Sequence, residues 1–178
     1  MSAVRRPWWR ARDGREAELR IRKATPRDHA DLARLRVIML EYITGIRFTP
    51  GELRAIDEHF QAWDGEDPLC LVAEEEGRIL GCVAVSFSRI FPGPKNPTGK
   101  KAEVHNFAVY EEHRGRGIGK ALFSRVLKEC RERGVGRVSL YASDMGIPIY
   151  ESFGFRREAV LCPEMRLYYG DLVGLDLE

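Results

Sequence analysis

The chain has 178 residues, of which 44% are apolar and 31% charged, a balance that suits one globular domain with a sizeable core. A formal net charge of +2 supplies no whole-chain attraction for nucleic acid. No apolar run approaches the length of a membrane span, and no signal peptide is visible, so a cytoplasmic protein is expected.

Cysteines stand at 70, 82, 130 and 162 without metal-ligand spacing. Three lie in apolar strand or helix patterns and read as reduced core residues, so neither a disulfide framework nor a metal site is expected.

Residues 1–18 form a basic N-terminal extension, with arginines at 5, 6, 10, 12 and 15 beside Trp8 and Trp9 and no regular periodicity. A flexible leader is the expectation. A nucleic-acid or membrane-surface arm is the alternative for such a composition, but nothing else in the chain supports it, and neither partner is expected. Residues 19–178 read as a single domain, and a homodimer is compatible with that reading.

Leu19 to Lys23 alternates like a first strand. Thr25-Pro26-Arg27-Asp28 then reads as a helix start, with a capping threonine, a proline suited to the first turn and an aspartate at the positive dipole end. Leu32, Leu35, Met39 and Tyr42 give this helix a face, and Gly45 ends it. A second helix fits 50–63 with Leu53, Ile56 and Phe60 inward. Residues 69–75 and 78–88 are strand-like runs joined around Glu76-Gly77, a hairpin pattern. Residues 89–101 form a long loop with three prolines and four positive charges, either a functional loop or a solvated connection.

An apolar strand over 102–109 then enters Glu111-Glu-His-Arg-Gly-Arg-Gly-Ile-Gly119. This turn opens a helix whose residues Ile118, Leu122, Val126 and Cys130 recur every four positions. Gly134 suits its left-handed C-terminal cap. The first amides of a helix lack partners and sit at the positive end of its dipole. Gly115, Gly117 and Gly119 allow close approach, while Arg114, Arg116 and Lys120 add positive charge, so the turn reads as a phosphate cradle. It is too short for a Walker loop and one residue short of a dinucleotide fingerprint. A strand over 137–142 follows, then a short helix over 144–153 with Asp144 as cap and Gly154 as stop. Strands over 155–161 and 164–169 close the sheet, as a hairpin around Cys162-Pro163. Among the histidines, His29, His59 and His113 read as solvent-facing or structural.

Arg114-Gly-Arg-Gly117-Ile-Gly119 resembles the Gln/Arg-x-x-Gly-x-Gly/Ala signature of the GNAT superfamily of N-acetyltransferases. Phe107-Ala108-Val109 precedes it as that superfamily's "Leu-Ala-Val" strand does. Tyr150-Glu-Ser-Phe-Gly-Phe155 resembles its later "Tyr-x-x-x-Gly-Phe" element. The resemblance covers roughly 19–169 and is specific over 102–155. It implies a GNAT-like α/β (α+β) fold: a central mixed, mostly antiparallel sheet of six to seven strands with a splayed bulge, flanked by about four helices.

It also implies acetyl-CoA as the acyl donor, with pyrophosphate on the 114–119 turn and Lys120 beside it. Backbone amides of Phe107, Ala108 and Val109 would take the pantetheine arm and polarise the thioester. A developing oxyanion needs such fixed donors out of water. Direct attack by an amine in a ternary complex requires removal of an ammonium proton near pKa 10 and benefits from an acid for the departing thiolate. The resemblance makes Tyr150 that acid. Glu103, where some members place a general base, and His105, on the same strand face, are the alternatives for the base. Ser143 stands where members often carry a cofactor-touching asparagine, a departure from the family pattern.

The acceptor is expected to be a small-molecule amine or amino acid, met by 42–58, the basic loop and the chain near 160–165. A protein N-terminus or lysine, or acyl-CoA sensing without turnover, are the alternatives.

Overall fold

The computed structural model describes residues 18–158. Among these residues, five strands form one sheet in the order of the chain: β1 (Arg20–Lys23), β2 (Leu69–Glu75), β3 (Arg78–Arg89), β4 (Lys100–Val109) and β5 (Arg137–Leu140). Successive pairs are antiparallel except the last, where β4 and β5 run parallel. The helices are α1 (His29–Thr44), α2 (Pro50–Ala62), α3 (Ile118–Glu132) and α4 (Ile147–Ser152). The expected N-terminal extension, all but residue 18, lies outside the described residues. So do Cys162, the strand over 164–169 and the second part of that over 155–161.

Consecutive residues of β2 enter two different cores. Leu69, Leu71 and Ala73 pack with Leu122, Phe123 and Val126 of α3, while Cys70 and Val72 pack with Leu32 and Leu35 of α1 and with Trp63. A sheet covered on both faces loses the apolar–polar alternation of a half-exposed strand, which is why β2 and β3 read as continuous apolar runs. All four repeat positions of α3, from Ile118 to Cys130, are buried, and Gly134 takes the left-handed conformation after its end.

A turn of 3-10 helix, Pro26–Asp28, leads into α1. The Asp28 carboxylate accepts from the Thr25 amide at 2.7 Å and from both terminal nitrogens of Arg22 at 2.8 and 2.9 Å. Arg22 also donates to Glu74 at 2.5 Å, so one guanidinium ties β1, β2 and the helix start together. Thr49 and Glu52 cap α2 reciprocally, as a capping box.

Three local expectations change. Leu53 is 39% exposed rather than inward, because α2 lies at the periphery with only Ile56 and Phe60 half-buried on its inner side. The helix expected over 144–153 begins only at Ile147, with Gly146 and not Asp144 at its N-cap, since 144–146 form a separate turn before the proline at 148. The strand expected over 137–142 stops at Leu140.

The segment 90–99 is largely exposed and is pinned to the body at Asn96 and Gly99. Buried Asn96 donates to the Lys100 carbonyl at 3.1 Å and accepts from Thr98 at 2.9 Å. Its Oδ1 lies where a Cβ at Gly136 would come within 2.1 Å. The exposure of most of this loop agrees with a solvated connection, anchored at one point by Asn96.

Two irregularities of β4 position the site. Ala84 pairs with His105 and Cys82 with Ala108, so two steps on β3 face three on β4. This is a β-bulge with one extra residue. Asn106 carries it, at φ +44, a left-handed conformation that asparagine tolerates better than most residues. On the other side, pairing with β5 runs from Lys101–Arg137 to Val104–Leu140 and ends. Beyond Val104 the two parallel strands fork.

Candidate active site

The fork opens into a cavity of about 560 Å³. Phe107, Ala108 and Val109 of β4 form one wall. The turn supplies Arg114, Gly115, Gly117, Ile118, Gly119 and Lys120, and the chain after β5 supplies Ser143, Met145, Gly146, Ile149 and Tyr150. Helix α1 closes the cavity with Ile38, Met39, Tyr42 and Ile43.

Gly115 and Gly117 sit at φ +74 and +80, with open space where a Cβ would stand. The left-handed Gly117 is the N-cap of α3, and the first bond within the helix runs from the Ala121 amide to its carbonyl at 3.0 Å. The amides of 118–120 thus precede the helical ladder, and the first turn carries no acidic side chain to occupy them. Gly119 is different: a Cβ there would meet Phe107 at 3.2 Å and Ile149 at 3.1 Å, so this glycine serves the packing of the cavity wall.

Tyr150 is 7% exposed, and its ring packs on Phe107, Phe123 and Phe155 at centroid distances of 6.0, 5.1 and 6.1 Å. Its hydroxyl has no hydrogen-bond partner among the described residues. Burial pushes the phenol pKa up to about 12, because the surrounding rings cannot solvate a phenolate. A neutral O–H donor on the cavity wall is the result.

The remaining residues singled out from the sequence lie elsewhere. The Arg116 guanidinium turns away from the cavity to Glu75, at 2.6 Å, and to His113 Nδ1, at 3.2 Å. Glu103 is paired with Lys101 at 2.7 Å and lines neither this cavity nor the one described next. His105 shares a hydrogen bond of 2.9 Å with Ser86 and lines a second cavity of about 550 Å³, between α1, α2 and the sheet. His113 lines the first cavity and pairs with Arg116, and exposed His59 stands at the edge of the second, within the solvent-facing or structural reading.

Sequence reasoning put Met39 and Tyr42 on the face of α1 but missed Ile38 and Ile43 beside them, and it missed Asn106 and Arg36. Nothing local marks that face as a wall of this cavity, since the other walls lie more than sixty residues downstream. The one available signal was an asparagine inside an apolar strand, where a bulge is a natural site. Cys70, Cys82 and Cys130 are buried free thiols, and among the described residues no group of side chains could hold a metal. Among these residues no helix is long and apolar enough to cross a membrane.

The end of β4 that β5 leaves unpaired, a glycine turn at a helix start and a tyrosine on the next helix meet in one cavity. The chain matches the family model of the acetyltransferase (GNAT) family over residues 37–155, and it belongs to that family. It is 32% identical over 122 residues to a mycothiol acetyltransferase of Cellulomonas flavigena, covering 64% of this chain and 33% of that one. It is 34% identical over 90 residues to N-acetyltransferase family 8 member 2 of Rattus norvegicus, covering 48% of this chain and 38% of that one. The chain thus matches only about a third of these relatives' length. Among solved structures, a predicted acetyltransferase from Clostridium acetobutylicum with acetyl-CoA superposes with a TM-score of 0.70 at 26% identity, covering 84% of this chain and 96% of that one. A GCN5-related N-acetyltransferase from Ralstonia eutropha gives 0.69 at 27% identity, covering 83% and 99%.

Proposed function

We propose that this chain transfers an acetyl group from acetyl-CoA to the primary amine of a small molecule, in a ternary complex and in the cytoplasm. One observation carries the reading: a single cavity joins the unoccupied amides of the α3 N-terminus to the proton-bearing hydroxyl of Tyr150 across the forked end of β4. Acetyl-CoA supplies the thioester carbonyl. The 114–120 turn fits its pyrophosphate, since Arg114 and Lys120 line the cavity beside open, left-handed glycines. The side of β4 beyond Val104 has no β5 partner, which supports its use by pantetheine and by the developing oxyanion.

The amine nitrogen attacks the thioester carbonyl, a C–N bond forms and the C–S bond breaks. Tyr150 donates its proton to the departing thiolate and regains one from solvent. The amine's surplus proton leaves through His105. What supports His105 over Glu103 is its place on the wall of the second cavity and its hydrogen bond to Ser86, where Glu103 is spent on Lys101. A relative named for mycothiol, a small molecule, supports a small acceptor. Reduced, buried thiols at 70, 82 and 130 support a reducing compartment.

The test is calorimetric titration with acetyl-CoA, followed by CoA release across amines, amino acids and peptides. Binding with turnover on a small amine is expected. Turnover confined to peptides would replace the acceptor class, and absence of binding would overturn the reading.

A further inference from the structure

The second cavity adjoins the first through shared walls. On α1, Arg36 and Leu40 line the second, and Ile38 and Met39 the first. On β4, His105 and Asn106 line the second while Phe107 and Ala108 line the first, so neighbouring residues of one strand separate them by a few ångströms. An amine resting on Asn106 is therefore within reach of a thioester resting on Phe107 and Ala108.

The second cavity's own chemistry is specific. Its body is apolar, with Leu40, Phe48, Ile56 and Phe60. Arg36 is half-buried in this wall and makes no ion pair or hydrogen bond with the described residues. A guanidinium withdrawn from water without a counter-ion is costly, and burial lowers its pKa. Glu52, the acid on the rim, does not repay that cost, since its carboxylate already accepts from the Thr49 amide and hydroxyl at 2.7 Å each. Two further polar atoms of the wall lack partners among the described residues: Asn106 Oδ1 and Trp63 Nε1, on residues only 6% and 8% exposed.

We infer that this cavity is the acceptor subsite and that Arg36 makes it selective for an amine carrying a carboxylate on an apolar body, as in an apolar amino acid. The inference rests on the acetyltransferase reading above. A planar carboxylate matches one guanidinium in a two-pronged hydrogen bond, whereas a phosphoryl dianion calls for more positive charge than one arginine supplies here. Phe48, Ile56 and Phe60 would cover the apolar side chain, leaving the amine towards the β4 bulge.

The experiment compares leucine, methionine and phenylalanine with their decarboxylated amines, isoamylamine, 3-(methylthio)propylamine and phenethylamine, as acceptors. At least one amino acid is expected to surpass its decarboxylated partner in kcat/KM by about ten- to a hundredfold, the scale of a charge-assisted pair. Arg36→Met should erase that ratio by raising KM for the amino acid far more than for the bare amine, with acetyl-CoA affinity kept. Arg36→Lys should restore part of it. Circular dichroism checks that both variants fold. If acetyl-CoA binds but no amino acid surpasses its partner, or none reacts, the inference falls while the cofactor reading stands. An equal effect of Arg36→Met on both members of a pair overturns it too. Failure to bind acetyl-CoA would instead remove the reading beneath it.

Discussion

The ring of Tyr150 lies directly against the α-carbon of Gly146, one helical turn earlier. A Cβ at 146 would stand 2.7 Å from its Cε2 and 3.2 Å from its hydroxyl oxygen. The Tyr150 amide also donates to the Gly146 carbonyl at 3.1 Å, so backbone and ring are held by the same residue. Gly146→Ala should therefore displace the phenol and lower kcat by about ten- to a hundredfold, as small misplacements of catalytic groups do. Steady-state kinetics beside calorimetry should show a smaller loss of acetyl-CoA affinity than of kcat.

Tyr150→Phe keeps the ring stack on Phe107 and Phe123 and removes only the hydroxyl. We expect kcat to fall by about ten- to a thousandfold, with cofactor affinity nearly intact. An unchanged kcat on the true acceptor would remove Tyr150 from the mechanism.

At Gly117, a glutamate would combine left-handed strain of about 1–2 kcal/mol with a negative charge beside the α3 amides. Gly117→Glu should abolish acetyl-CoA binding, and Gly117→Ala, sharing the strain without the charge, should weaken it only in part. Equal affinities for the two variants would contradict an electrostatic role for the turn.

Asn106→Val places a β-branched residue at φ +44, where the backbone alone costs about 1–2 kcal/mol. Denaturant unfolding should show at least that loss. Asn106→Gly relieves the backbone, so its stability should exceed that of the valine variant.

High pH should unfold the protein earlier than surface titration alone predicts. Burial raises the thiols of Cys70 and Cys130 from an ordinary value of 9.0 to about 12 and 11, and raises Cys82 further. A raised folded value means that the unfolded chain loses its protons first. The stabilising contribution is whole below pH 9.0 and drains as pH climbs from there towards the folded values of about 11 and 12. Melting temperatures measured from pH 8 to 10.5 should decline, less steeply for Cys82→Ala than for the parent once its lower starting stability is subtracted.

The features legible in the sequence were those written in short spacings. The helix–turn chemistry of 111–134, the capping at Thr25 and the Glu76-Gly77 hairpin each depend on a few neighbours, and the structure has them where the spacing put them. Matters settled at long range were not legible. Arg116 looks like part of a phosphate cradle until Glu75, on a distant strand, is seen to hold it. Leu53 obeys the helical period of α2, yet none of the described residues covers it fully. Gly119 belongs to the glycine pattern but answers to Phe107 and Ile149. Arg36 occupies an unremarkable place in α1, and only the fold shows that it faces apolar space without a partner among the described residues.

The single extra residue at Asn106 also decides which changes β4 can tolerate. Before it, Ala102 and Val104 face α3; after it, Phe107 and Val109 do, although the parity of the numbering has switched. Replacing a side chain in this strand alters one contact. Removing one residue between Val104 and Phe107 would restore plain alternation and leave Phe107 on the α3 face, but it would erase the bulge and with it the local bend and twist that set the end of β4 and the amides of 107–109. Length, more than composition, is thus what the cleft depends on here, and drift in this strand should accumulate as substitutions and almost never as insertions or deletions.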